Sequence, residues 1–191
     1  MGGAFLEGGG SASTIDACYF IGNTVNNMGG AIANYQGGQT QILNCIFINN
    51  SVEESSWGGG GVGSFQSLPS IINCSFHNNQ SPSGGAAYQS NDPPLQIVNS
   101  ILWGNGETEL EGSFDVRYSC IQGGYDGVGN IAADPKFLAQ TEITSLLLQI
   151  DSPCIDTGTG DSAAAFDIFG TPRPQDIPGV GQDGLNVGYD M

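Results

Sequence analysis

The side chains able to do chemistry are few and unevenly placed. The chain of 191 residues holds five cysteines, one histidine, three bases (Arg117, Lys136 and Arg173) and nineteen acids. With His77 as its only histidine, it offers no credible Ser-His-Asp triad, nor the four-ligand set that zinc wants. The acids look more promising. Asp151, Asp156, Asp161, Asp167, Asp176, Asp183 and Asp190 populate Gly-rich loops, and flexible, oxygen-rich loops suit Ca²⁺. Asp156, Asp161 and Asp167 are the first candidates for its ligands, and Ca²⁺ is the one cofactor these residues suggest. No 12-residue EF-hand pattern and no Gly-Gly-x-Gly-x-Asp repeat supports them. The plainer reading is solvated turn carboxylates or partners of Arg173.

Charge separates two kinds of structure. Residues 1–100 carry five acids and no Lys or Arg; all three bases and the other acids follow, for a net charge of −16. That charge argues against nucleic acid and against anionic membrane surfaces. It suits a secreted protein, a salt-rich habitat or Ca²⁺ binding. No apolar run approaches the ~20 residues of a membrane helix. The 31 glycines follow no Gly-X-Y period, which excludes collagen, and only 12% of residues are charged, which is unlike a disordered polyelectrolyte.

The elements that position these groups are repeats. Ile15-Asp16-Ala17-Cys18-Tyr19-Phe20 aligns with Ile42-Leu43-Asn44-Cys45-Ile46-Phe47, Ile71-Ile72-Asn73-Cys74-Ser75-Phe76 and Ile97-Val98-Asn99-Ser100-Ile101-Leu102, at steps of 27, 29 and 26 residues. Between the copies lies a second landmark: Gly2-Gly3-Ala4-Phe5, Gly29-Gly30-Ala31-Ile32, Gly60-Gly61-Val62-Gly63 and Gly84-Gly85-Ala86-Ala87. The runs are short, β-branched and aromatic, with no helical period. A parallel β-solenoid remains, an all-β coil of about three strands per turn and four to six rungs, stacked ~4.8 Å apart. Cys18, Cys45, Cys74 and Ser100 would form one inner ladder, and Phe20, Phe47, Phe76 and Leu102 another. A bend at Asn44, Asn73 and Asn99 would bury the Ile column as well. Asn23, Asn50, Asn79 and Asn105 would mark the next bend.

This pattern resembles the repeats of right-handed parallel β-helix proteins, including the pectate-lyase-like superfamily and the polymorphic outer-membrane-protein repeats of bacterial surface proteins. The coil spans residues 1–115. The remainder, 116–191, resembles the closing segment of bacterial extracellular β-helix proteins through Tyr118-Ser119-Cys120-Ile121-Gln122-Gly123-Gly124, Gly129-Asn130-Ile131-Ala132-Ala133-Asp134-Pro135, Ser152-Pro153-Cys154-Ile155-Asp156, Asp167-Ile168-Phe169-Gly170-Thr171-Pro172-Arg173-Pro174 and a degraded final strand at Asn186-Val187-Gly188-Tyr189. The resemblance implies final rungs with an irregular acidic cap, and a structural ion pair for Arg173. The chain enters in mid-repeat at Met1, so the expectation is a piece of a longer protein, signal peptide upstream, or a first edge paired with another chain.

The coil recasts the candidate residues. Stacked Cys18, Cys45 and Cys74 present parallel Cβ vectors, poor for a disulfide, and read as small buried hydrophobes. Cys120 and Cys154 lie in irregular segments; a disulfide between them would close a loop of about 34 residues. Tyr19, Ile48 and Trp103, with Ile46 and Ile101, fall at outward positions, where they would bind sugar rings or a protein partner or lie under loops such as 52–57. Sequons at Asn49, Asn73 and Asn79 follow from the Asn-rich bends. β-Helix lyases use Arg or Lys beside acidic ligands, and hydrolases use clustered Asp; the coil has no base, and its Asp16 and Asp92 are far apart in phase. The expectation is therefore a non-catalytic extracellular or cell-surface module, a scaffold, adhesin or glycan-binding surface. Its partner would be a polysaccharide or a cell-surface glycan or protein. The alternative is the C-terminal part of a polysaccharide lyase or glycoside hydrolase with its catalytic rungs upstream.

Overall fold

The computed structural model describes residues 2–54, 57–90, 93–138, 146–161, 163–175, 179–181 and 189–191. Asp92, Asp176, Asp183 and the 186–188 part of the final motif lie outside the described residues. The chain winds as a coil. The first turn contains β1 (Phe5–Gly8), β2 (Thr14–Asp16), β3 (Tyr19–Ile21) and β4 (Thr24–Val25). The second contains β5 (Ile32–Tyr35), β6 (Gln41–Leu43), β7 (Ile46–Ile48) and β8 (Ser51–Val52). Then come β9 (Val62–Phe65), β10 (Ser70–Ile72) and β11 (Ser75–His77); β12 (Ala87–Gln89), β13 (Leu95–Val98) and β14 (Ile101–Trp103); and β15 (Leu110–Gly112), β16 (Phe114–Arg117) and β17 (Cys120–Ile121). Equivalent strands pair in parallel into three five-stranded walls, with β4 and β8 as a two-stranded addition.

The register follows the repeat. Ile15, Ile42, Ile71, Ile97 and Val116 stack in the second wall, and Phe20, Phe47, Phe76, Leu102 and Ile121 in the third. The phenyl rings lie nearly parallel, Phe47 on Phe76 at 4.3 Å and Phe20 on Phe47 at 4.9 Å. Both columns point inward because Ala17, Asn44, Asn73, Asn99 and Tyr118 take φ of 47° to 52° between them, resetting the alternation as expected. Two details of the reading shift by one residue. The glycines in register are Gly29-Gly30 and Gly59-Gly60, since Ile32 pairs with Val62; a Cβ on Gly59 would sit 2.1 Å from the Val62 carbonyl oxygen. The second bend falls at Gly22, Asn49, Asn78 and Gly104, at positive φ, and the Asn column that follows it turns inward.

That inward column is a hydrogen-bonded ladder. Asn23 donates its backbone N–H (3.1 Å) and its Nδ2 (2.8 Å) to Asn50 Oδ1. Asn50 does the same to Asn79 (3.0 and 2.8 Å), and Asn79 to Asn105 (2.9 and 2.7 Å). Asn105 ends the series on a carboxylate, its N–H on Glu109 Oε1 (3.0 Å) and its Nδ2 on Oε2 (2.7 Å). The Cys column is a second ladder. The N–H of Cys45 reaches Cys74 Sγ, that of Cys74 reaches Ser100 Oγ, and that of Ser100 reaches Ser119 Oγ, at 3.4, 3.2 and 3.1 Å. Each thiol or hydroxyl donates in turn to the carbonyl two residues before it, as Cys45 does to Leu43 and Ser100 to Val98. Small polar side chains at this bend thus satisfy amides that no strand partner reaches.

The irregular C-terminal part closes the end of the coil and then leaves it. Tyr118 donates its N–H to the Val128 carbonyl (2.8 Å) and Ile121 to that of Ile131 (3.0 Å), while Tyr125 packs edge-on against Phe114. Asn130 Oδ1 accepts the Ser119 N–H and ends the Cys-Ser ladder. Beyond 134 the chain runs back along the outside of the third wall, packing Phe137, Leu146 and Cys154 on its outward residues.

The Asn ladder generates two expectations. Asn79→Ala strands the Asn50 N–H and the Phe47 carbonyl, both partners of the lost amide. It should cost about 3 kcal/mol in urea unfolding, at ~1–3 kcal/mol per orphaned buried group; Asn23→Ala, at the half-buried start of the ladder, should cost about 1 kcal/mol or less. Glu109 is 8% exposed. Burial holds its carboxyl up, from 4.5 to about 7, against the Asn105 and Gly104 N–H groups that pull it down. The folded state therefore binds this proton more tightly than the unfolded chain does. The associated stability is complete below pH 4.5 and is lost as pH rises through about 7. It is on the order of 3 kcal/mol, and Glu109→Gln should flatten that part of a stability–pH curve.

Candidate functional site

The returning segment is held by the corner between the second and third walls. The left-handed backbone at this corner turns each Asn amide outward, one per turn. Asn99 forms a reciprocal pair with Thr159, accepting its N–H (2.9 Å) and donating to its carbonyl (2.7 Å). Asn73 Oδ1 accepts the Ala164 N–H (3.2 Å), and Asn44 Oδ1 accepts Arg173 Nη1 (2.5 Å). The segment thus runs antiparallel to coil growth, clasped at successive turns.

Under this segment lies a second apolar core. Outward Ile46, Ile101 and Cys120 pack with Phe137, Leu146, Cys154 and Met191, flanked by Ile48, Trp103, Ile131, Leu148 and Ile168. Of the two expectations for the outer face, binding a ligand or lying under other parts of the chain, the second describes these positions. Ile48 and Trp103 are half-buried, packed against the cluster that includes Phe137, Leu146 and Cys154 of the C-terminal segment. Tyr19 is 38% exposed. The three do not form one open surface. His77 belongs to the same layer, its Nδ1 2.8 Å from the Trp103 carbonyl oxygen and its ring edge-on to Phe137.

Where the segment lifts from the wall it leaves a cleft of about 550 Å³. Its floor is apolar: Ile46, Leu146, Leu148, Ile155 and Met191. Its rim is polar and charged: Asn44, Asn73, Asp167, Arg173, Gln175 and Asp190. A tight turn builds one side. Asp167 donates its N–H to the Thr171 carbonyl at 2.9 Å, and Asp167 Oδ1 accepts the N–H groups of Phe169 (2.8 Å) and Thr171 (2.7 Å). The turn puts Phe169 at its tip, 57% exposed. Arg173 donates to Asn44 and to the Phe166 carbonyl. Among the described residues it has no carboxylate within ion-pairing distance and is held by this amide clasp, while Asp176 and Asp183, two acids of the C-terminal part, lie outside the described residues. Burial lowers the Arg173 pKa, opposed by Asp167 and Asp190. Burial raises that of Asp190, with Asp156 adding to the rise and the Asp156 N–H, which Asp190 Oδ1 accepts at 2.9 Å, opposing it.

The three Ca²⁺ candidates are not brought together. Asp167 is spent on its own turn, Asp156 lies against Asp190, and Asp161 is exposed. No group of three or more acidic, His or Cys side chains able to hold a metal occurs among the described residues. Local turn chemistry, which Asp serves as readily as metal ligation, accounts for Asp167. Cys120 and Cys154 are brought together, as free buried thiols. Sequence reasoning missed the clasping role of Asn44, Asn73 and Asn99, although their recurrence was the available signal. Nothing singled out Glu109 or Gln175.

The stacked parallel walls define the class, a β-solenoid. Residues 1–128 match the family model described as right handed beta helix region, and the chain belongs to that family. No curated protein and no solved structure matches it.

The clasp generates a further expectation. Arg173→Ala removes a charged donor from two acceptors and should cost about 2 kcal/mol. Hydrogen exchange should quicken at the Ala164 and Thr171 amides and stay unchanged in β6, β10 and β13.

Proposed function

We propose that the protein is a non-catalytic, extracellular or cell-surface bacterial β-helix module that binds glycan in the cleft between its third wall and its C-terminal segment. One observation carries this reading: the cleft sets Arg173, Asp167, Gln175 and Asp190 around an apolar floor beside the exposed ring of Phe169. Planar guanidinium, carboxylate and amide groups match the paired hydroxyls of a sugar. An exposed ring offers its face to the sugar's C–H side, and a concave apolar site with a few convergent polar groups is the usual form of a small-ligand site. The guanidinium adds a place for the carboxylate of an acidic sugar. The coil serves as the rigid scaffold.

A glycan array followed by calorimetry tests the proposal. Binding to oligosaccharides, strongest for uronate-containing ones, is the expected result, with Phe169→Ala weakening it about tenfold, the equivalent of ~1.4 kcal/mol. Absence of binding at millimolar glycan overturns it. The second reading, the C-terminal part of a polysaccharide lyase or glycoside hydrolase, draws on Asp190, a carboxyl with a raised pKa beside Asp156. New reducing ends or unsaturated uronates released from a bound glycan would favour that reading instead.

A further inference from the structure

The strongest unassigned chemistry lies where the C-terminal segment meets the last turn of the coil. Cys120 follows the outward column of the third wall, in register with Ile101. Cys154 belongs to the returning segment and joins the same buried cluster. Both are 0% exposed and share one apolar cluster. They lie close enough that Cys154 is the largest influence on the Cys120 thiol, raising its pKa. Cys120 Sγ also lies 3.1 Å from the Ala133 carbonyl oxygen, and the Cys154 carbonyl accepts the Met191 N–H at 3.1 Å.

We propose that Cys120 and Cys154 oxidise to a disulfide that fastens the C-terminal segment to the coil. What separates this pair from Cys45 and Cys74 is that its members come from different layers, the coil wall and the returning segment. Those two project side by side from adjacent turns with parallel Cβ vectors, the N–H of Cys45 reaching Cys74 Sγ. A disulfide needs a crossed approach that stacked neighbours do not offer. A metal is the other use for paired thiols, and no third ligand stands with them among the described residues. The proximity of Cys154 and burial raise the pKa of the Cys120 thiol, so Cys120 is not a ready nucleophile once the segment has closed.

In the reaction both S–H bonds break and one S–S bond forms. The two protons and two electrons pass to a small-molecule disulfide, which is reduced to two thiols through a mixed disulfide. Because both thiols are fully buried in the folded protein, the exchange belongs to folding, before the segment docks. The bond forms whether or not the cleft takes a glycan.

The test uses the full chain, refolded in oxidised and reduced glutathione, then denatured without reductant, alkylated and mapped by mass spectrometry. The expected product has Cys120 linked to Cys154 and three alkylated thiols, at Cys18, Cys45 and Cys74. Reduction of the folded protein should speed proteolytic cleavage within 134–175 by roughly tenfold or more. The Cys120→Ser/Cys154→Ser double variant should be cleaved at the fast rate with or without reductant. Five alkylated cysteines after oxidative refolding, or a linkage through the stacked cysteines, overturns the proposal. So does a cleavage rate indifferent to reductant in the wild-type chain.

Discussion

Everything in this molecule depends on holding each turn of the coil in register with the next, and a line of buried amides does most to hold it. From Asn50 to Asn105 every amide oxygen receives two N–H groups of the turn before, and from Asn23 to Asn79 every Nδ2 donates to the turn after. A slip by one residue would set these groups against apolar neighbours, leaving several buried donors without acceptors. The stacked phenyl rings contribute area but accept a wider range of offsets, so register rests on the amides. The bonds run in one direction, each polarising the next, and the series ends on Glu109, whose carboxylate takes the last two donors.

Asparagine has a different role at the neighbouring corner. At Asn44, Asn73 and Asn99 the same left-handed geometry that turns the chain also turns the amide out of the coil. There it meets residues 129, 91 and 60 positions further along the chain. The cleft exists because of this arrangement: the clasps hold the returning segment against the wall at its Asn corner, while the turn from Asp167 to Thr171 keeps it raised over Ile46. The rigid coil supplies a floor, and the clasped segment supplies the charged rim.

The division between what can and cannot be read in the sequence follows from this geometry. The Ile, Cys and Phe columns recur at nearly constant spacing, so their stacking and the bends between them are legible. The glycine pairs align one residue out at the third turn, because four consecutive glycines at 58–61 offer several equivalent alignments. The inward Asn column reads as the bend itself, since glycine and asparagine both adopt the left-handed geometry and Asn49 and Asn78 precede equally suitable neighbours. The returning segment is beyond reach for another reason. It has no period, and its contacts link positions far apart in sequence, so the outward residues Ile48 and Trp103 look available when they are covered. Acids in Gly-rich loops suggest a metal because turn-capping and cation-binding aspartates share the same composition.

The clasps also make the segment a ruler. Each engages one turn of the coil, so a coil with one more turn would require a segment longer by the rise of a turn, ~4.8 Å, and a fourth asparagine at the corner to receive it. A turn inserted into the coil alone would leave the segment short of its last anchor and open the second apolar core to water. Coil length and tail length are therefore coupled dimensions of this protein, and change in either demands change in both.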